Sequence, residues 1–332
     1  MKRFSFLLWA LLVAFLISGC VAQPVAPPTA TEPAAAAPTA TQAATATPTP
    51  EMPTPTPLSA YPLTITDAAG RQVTISAQPK AIVSLAPSNT EILYALGLGD
   101  RVVGVTKFCN YPKEATQKPQ VGGFSDVSIE KVAELQPDLV LAARIHVPEV
   151  VPALEKLGLT VVVLDPPDVP GVLEGIALVG RITGAEGQAG ALIESMQARI
   201  DAVSKAVAGR ERPRVFWELS NDLWTAGPGS FINDLIERAG GENIAATGDS
   251  PWLQLSSEAV VEADPQVIFL ADHPFGESAQ TVASRAGWEE VSAVKEGRIV
   301  ELQDTDIFSR PGPRVVEALE LIAKALHPEA FQ

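Results

Sequence analysis

The chain carries nearly the same phrase twice. Residues 128–140 run SIEKVAELQPDLV, and residues 256–268 run SSEAVVEADPQVI, 128 positions later. Ser128 matches Ser256, Glu130 matches Glu258, Val132 matches Val260, Pro137 matches Pro265 and Val140 matches Ile268. Each copy has the pattern of a short helix, a proline-containing turn and a buried strand. The register extends upstream, where Phe124 falls opposite Trp252. Such a repeat predicts two pseudo-equivalent α/β halves. Ser-x-Glu helix starts and Asp-Pro turns are common enough that the sequence alone leaves a chance match open.

The rest of the sequence fits two halves with a strut between them. YPLTITDAAGRQVTI alternates around a turn and predicts a hairpin. AIVSLAP, RVVGVT, DLVLAA and TVVVLDP are short apolar β-rich runs separated by helical patterns, which predicts a mostly parallel sheet covered on both faces. In SNTEILYALGLGD, Ser88 and Glu91 have the spacing of a capping box, and Gly97 and Gly99 stop the helix. From Glu186 to Gly209 there is no proline and no strand pattern. Leu192, Met196, Ile200, Val203 and Val207 form a stripe at helical spacing, so this stretch predicts a single rod. RVFWEL, QVIFLA and RIVELQ then supply strands, with helices predicted at 230–239, 256–263 and 312–326. The expected organisation is an N-terminal α/β lobe over 61–183, a connecting helix over 184–210 and a C-terminal α/β lobe over 211–332.

The N-terminal segment predicts export. Lys2 and Arg3 precede an apolar run too short to span a bilayer, which ends in ISGC. Residues 1–19 fit a lipoprotein signal, and Cys20 the lipidated cysteine; an ordinary export signal with a stray cysteine is the other reading. Residues 20–58 are expected to be a disordered tether, since 30 of the 37 positions from 21 to 57 are Pro, Ala or Thr.

Charge narrows the partners. There are 24 basic residues against 39 acidic ones, a net charge of −15, with no basic run. Nucleic acid is excluded as a partner on that ground. Beside Cys20 the only cysteine is Cys109, so no internal disulfide is available; Cys109 is expected to be a buried thiol, with contact to a bound metal as the other reading.

Candidate site residues lie on loops beside the strands. Phe108, Phe124, Trp224 and Trp252 sit where an open α/β sheet binds ligands, and suit a flat amphipathic molecule; core packing is the alternative. Trp217, inside a strand, is expected in the core. Asp306 and Arg310 are either ligand-bonding groups or a solvated ion pair. Glu130 and Glu258 each fall in a first helical turn, where the helix dipole favours an anion. As a matched pair they would present two acidic knobs to a partner with basic pockets. His146, His273 and His327 are far apart in sequence and are expected at surfaces or turns. No nucleophile or acid–base motif is present, so an enzyme is not expected.

IVSLAPSNTEILYALGLGDRVVGVT, VGGFSDVSIEKVAELQPDLVLA, AGGENI and SRPGPR together resemble the cobalamin and iron–siderophore substrate-binding proteins of ABC importers, over nearly the whole chain from Lys80. The resemblance implies two α/β lobes joined by one long helix, little lobe movement, and a monomer that takes no cofactor of its own. It implies ligand contact by Phe108, Phe124, Trp224, Trp252, Asp306 and Arg310, and docking of Glu130 and Glu258 on arginines of a permease driven by a cytoplasmic ATPase. The cobalamin branch is the more similar. Ala143, beside Arg144, and Leu219 stand where that branch carries aromatics. These departures imply a less aromatic, more polar wall and leave haem or an iron–siderophore as the alternative ligand. The expected protein is a lipid-anchored, extracytoplasmic binding protein for a corrinoid.

Overall fold

The computed structural model describes residues 61–332; the signal, Cys20 and tether expectations lie outside the described residues. The elements run β1 (Leu63–Thr66), β2 (Gln72–Ile75), β3 (Ile82–Ser84), α1 (Pro87–Ala95), β4 (Val102–Val105), α2 (Ile129–Glu134), β5 (Leu139–Ala142), α3 (Val150–Lys156), β6 (Val161–Val163), α4 (Val169–Thr183) and α5 (Glu186–Val207). Then follow β7 (Arg214–Glu218), β8 (Trp224–Ala226), α6 (Phe231–Arg238), β9 (Glu242–Asn243), β10 (Trp252–Gln254), α7 (Ser257–Ala263), β11 (Val267–Leu270), α8 (Ala279–Ala283), α9 (Ser292–Lys295), β12 (Ile299–Glu301), α10 (Asp306–Ser309) and α11 (Val315–Leu326).

Two four-stranded parallel sheets form the two lobes, in the orders β4-β3-β5-β6 and β9-β7-β11-β12. Numbered within each lobe, both orders are 2-1-3-4, so the repeat in sequence is a repeat in topology. The offset of 128 is kept to the residue: β5 spans 139–142 and β11 spans 267–270. Val132 and Val260 are both buried. The residue before each repeat proline takes a positive φ, Gln136 at 46° and Asp264 at 43°. That left-handed residue ends the helix and turns the chain into the next strand.

Central strands are buried on both faces, as unbroken apolar runs require. Ile82, Leu139 and Leu141 face one core, while Val83, Val140 and Ala142 face another. In the second lobe Val215, Trp217 and Phe269 alternate in the same way with Phe216, Ile268 and Leu270. Trp217 stacks on Phe269 with ring centroids 5.2 Å apart, in the core as expected.

The rod is α5, 22 residues and about 33 Å long at 1.5 Å per residue. Its buried residues are Ala189, Met196, Ile200 and Val203, with Leu192 and Val207 half-buried beside them. It packs along α4 and α11, and the core it joins is continuous between the lobes. None of the described helices is long and apolar enough to cross a membrane.

Two local expectations fail. The helix of residues 87–95 starts at Pro87 with Ala86 as its cap, and no side chain caps it. Ser88 and Glu91 therefore form no capping box, because proline's preset φ starts the helix one residue early. Trp224 and Trp252 are not on loops: β8 and β10 pair antiparallel, with Trp252 opposite Ala226 and Gln254 opposite Trp224.

Candidate functional site

A cavity of about 580 Å³ lies between the lobes. Its N-terminal wall is built at the carboxyl ends of strands. Ala86, Pro87 and Ser88 follow β3, Phe108 follows β4, Ala143 follows β5, and Leu164, Asp165 and Pro166 follow β6; Phe124 closes that side. The opposite wall is Trp252 with Ser309, Arg310 and Pro311. This is the crevice position expected for ligands of open α/β sheets.

Each ring is held differently. Phe108 is 48% exposed, its ring approached by the Lys107 ammonium at 5.2 Å. Phe124 sits in a tight loop that begins at Gly122, where φ is +126° and a Cβ would meet the Asp126 carbonyl at 2.5 Å, so only glycine fits. Trp252 is 50% exposed on the β8–β10 ribbon. In that pairing Trp224, Trp252 and Gln254 share the exposed face, while Thr225 is buried. Trp224 is exposed on the same face but is not part of the cavity lining.

His146 lies in a turn, as one of the two expectations had it, but is not at the surface. It is 1% exposed, and its Nε2–H donates to the Phe124 carbonyl at 2.6 Å while Nδ1 accepts from the Ala143 N–H at 2.9 Å. Its ring meets Phe124 edge-on with centroids 5.5 Å apart. Burial pushes the imidazole below its ordinary pKa, against the pull of the carbonyl bond, so it stays neutral. His327 is also buried, against the Gly240 carbonyl, whereas His273 lies in a half-buried turn. Cys109 is buried between the hydroxyls of Thr90 and Thr106, at 3.1 and 3.2 Å. Among the described residues no group of three or more His, Cys, Asp or Glu is placed to hold a metal ion.

Asp306 and Arg310 form an ion pair at 2.6 Å in which Asp306 is 35% exposed and Arg310 only 10%. Arg310 also donates to Asn110 Oδ1 at 2.6 Å and to the Phe108 carbonyl at 3.3 Å, and reaches Glu91 at 3.3 Å. Asp306 accepts from Asn110 Nδ2 at 3.1 Å. Arg314 grips Glu91 with a two-pronged contact at 2.7 and 2.9 Å and lies 4.1 Å over the Tyr111 ring. The Glu91 bond raises the Arg314 guanidinium above its ordinary range. Arg310 lines the cavity, whereas Asp306 stands behind it. The sequence did not mark Glu91, Asn110 or Arg314 as site residues.

At the two departures from the expected aromatics, Ala143 lines the cavity and Arg144 pairs with Asp165. Leu219 does not reach the cavity; it borders a separate depression with Asp272 and Phe275. There Asp272 is 3% exposed, and burial with the neighbouring Glu218 carboxylate pushes it up to about 7. Glu218 in turn is bound by Arg285 at 2.5 and 2.7 Å.

Glu130 and Glu258 occupy the same place in each lobe. Both are exposed in the first turn of a short helix capped by a serine: Ser128 Oγ accepts from Lys131 N–H and Ser256 Oγ from Ala259 N–H. The Glu258 N–H and the Ser256 hydroxyl hold the Glu258 carboxyl below the usual range. Each helix runs into β5 or β11 as the crossover of a parallel sheet, so its N-terminus lies at the sheet edge that carries the cavity.

Residues 82–305 match the model of the periplasmic binding protein family. The chain belongs to that family. It is 39% identical over 281 residues to an ABC transporter substrate-binding lipoprotein, YvrC, of Bacillus subtilis, covering 82% of this chain and 88% of that one. It is 36% identical over 278 residues to a cobalamin-binding protein of Halobacterium salinarum, covering 81% of this chain and 75% of the relative. The periplasmic haem-binding protein RhuT from Roseiflexus superposes with a TM-score of 0.68 at 26% identity, covering 76% of this chain and 99% of that structure.

Proposed function

We propose that the protein is the extracytoplasmic substrate-binding component of an ABC importer, and that it captures a corrinoid, cobalamin or a close relative, between its lobes. Phe108, Phe124 and Trp252 offer flat apolar faces to a planar ring, with Trp224 extending the surface for a ligand that protrudes. The observation that carries the corrinoid reading is the state of the lining cation. Arg310 is the one cation in the described lining, and Glu91, Asp306, Asn110 and the Phe108 carbonyl already engage it. The carboxylates of haem or of a ferric siderophore find no unmatched positive charge there. Haem iron also takes a His, Cys, Met or Tyr ligand from its protein, and the lining holds none of the four. A corrinoid brings its own axial ligands and a rim of neutral amides, which Ser88, Ser309 and Asp165 can bond. No chemistry on the ligand is part of this function.

In this reading Cys20 carries a lipid anchor, and the monomer hands its ligand to a permease driven by a cytoplasmic ATPase. Glu130 and Glu258 dock on basic pockets of that permease, one per lobe. Titration with cyanocobalamin, hemin and ferric chelates tests the ligand: a saturable complex with the corrinoid is expected, and preference for hemin or a ferric chelate would refute the corrinoid assignment. Reversal of both glutamates to lysine is expected to abolish uptake with ligand affinity intact. Undiminished transport would remove their docking role.

A further inference from the structure

We propose that Glu91 is a positioning residue that sets the width of the ligand cavity; the ligand arm of its test rests on the corrinoid reading above. Glu91 is buried on α1 of the N-terminal lobe, its side chain 2% exposed, and touches no lining face of its own. Both of its partners, Arg310 and Arg314, come from the C-terminal lobe, and they are 10% and 11% exposed. The two cavity walls hang directly on this contact. Ser88 lies one turn before Glu91 on α1, and Arg310 is both partner and wall. Backbone meets backbone at the same place: a Cβ on Gly312 would lie 3.4 Å from the Ser88 carbonyl.

The geometry makes the carboxylate the element that holds the gap. Both guanidiniums converge on Glu91 Oε1, at 3.3 and 2.7 Å. Without its charge Arg310 keeps only the carboxylate of Asp306, and Arg314 only that of Asp304 at 3.6 Å, so the link between the lobes at this point is lost and the two guanidiniums repel. Arg310 would then lose its fixed place beneath Phe108, whose carbonyl it bonds. The contact lies beside the rod, since Glu91 and Arg314 line one depression with Leu192, Met196 and Arg199 of α5, so loosening it frees the rim of the groove and leaves both sheets and the rod intact.

Glu91→Gln in the full chain tests this, because the amide keeps the size and removes the charge. Amide hydrogen exchange without ligand is expected to quicken roughly tenfold or more in segments 108–112 and 305–314 and to stay unchanged in β5 and β11. Cyanocobalamin is expected to bind about tenfold more weakly, through faster dissociation with an unchanged association rate. Unchanged exchange in those segments, or an equal rise through both lobes, would overturn the positioning role. Should Glu91→Gln fail to fold, Asn110→Ala removes an exposed part of the same network and is expected to quicken the same two segments about threefold; no change there would equally overturn the proposal. If the unsubstituted protein takes no cyanocobalamin, the corrinoid reading falls and the ligand-free exchange alone decides the role of Glu91.

Discussion

Replacement of Trp252 by alanine separates ligand contact from folding. Half of the Trp252 surface is exposed. A fully enclosed tryptophan buries up to about 250 Å², so about 100 Å² of apolar ring remains for a ligand to cover. At about 25 cal/mol per Å² that is ~2.5 kcal/mol, or nearly two decades in Kd. The same exposed half contributes little to folding, so the thermal midpoint of Trp252→Ala is expected to move by only a few degrees. The assay is an absorbance titration with cyanocobalamin beside a thermal scan of each variant. Trp224→Ala provides the internal comparison: its ring shares the ribbon face but lies outside the cavity lining, and a loss below about tenfold is expected. A Trp252→Ala variant that folds normally and binds within about threefold of the parent would refute the assignment of this ring to the ligand. Equal losses at both positions would place the ligand over the ribbon rather than in the cavity.

Two buried groups predict opposite pH effects. His146 is held below its ordinary pKa in the fold, so the unfolded chain binds more protons and stability falls as pH drops from about 6.5 toward the folded value, by up to ~1.4 kcal/mol per pH unit. His146→Gln is expected to flatten that fall in denaturant midpoints taken from pH 7 to 5, and to weaken ligand binding by loosening Phe124; an unchanged slope would refute the neutral assignment. Asp272 is held above its ordinary value, at about 7, so its favourable contribution is complete below about 3.8 and is lost as pH rises through 7. Asp272→Asn is expected to raise the thermal midpoint more at pH 8 than at pH 5, and the reverse order would refute the assignment.

Most of the fold was legible because its signals are local. Strand runs such as LVLA and VIFL are buried on both faces and cannot be solvated, and the stripe on α5 has no other use than packing. The offset of 128 carried the topology of one lobe onto the other. The site was legible only in part. Phe108, Phe124, Trp252 and Arg310 reach the cavity, while Trp224 and Asp306 are not in its lining. Glu91 was misread because Ser-x-x-Glu is also a local capping pattern, and its true partner Arg314 lies 223 positions away. The ribbon of β8 and β10 has three residues per strand and joins segments that no periodicity connects. His146 gave no signal in the sequence, since its two bonds are to backbone groups of Phe124 and Ala143.

The α5 rod has a consequence for opening. A beam of consecutive helical turns, clamped along its length by α4 and α11, resists a sharp bend, because a kink would disturb its own ladder of hydrogen bonds. Large clamshell opening would strain that beam, whereas loosening of the rim would leave it intact. A partner that gripped both halves at once could supply the work that such opening costs.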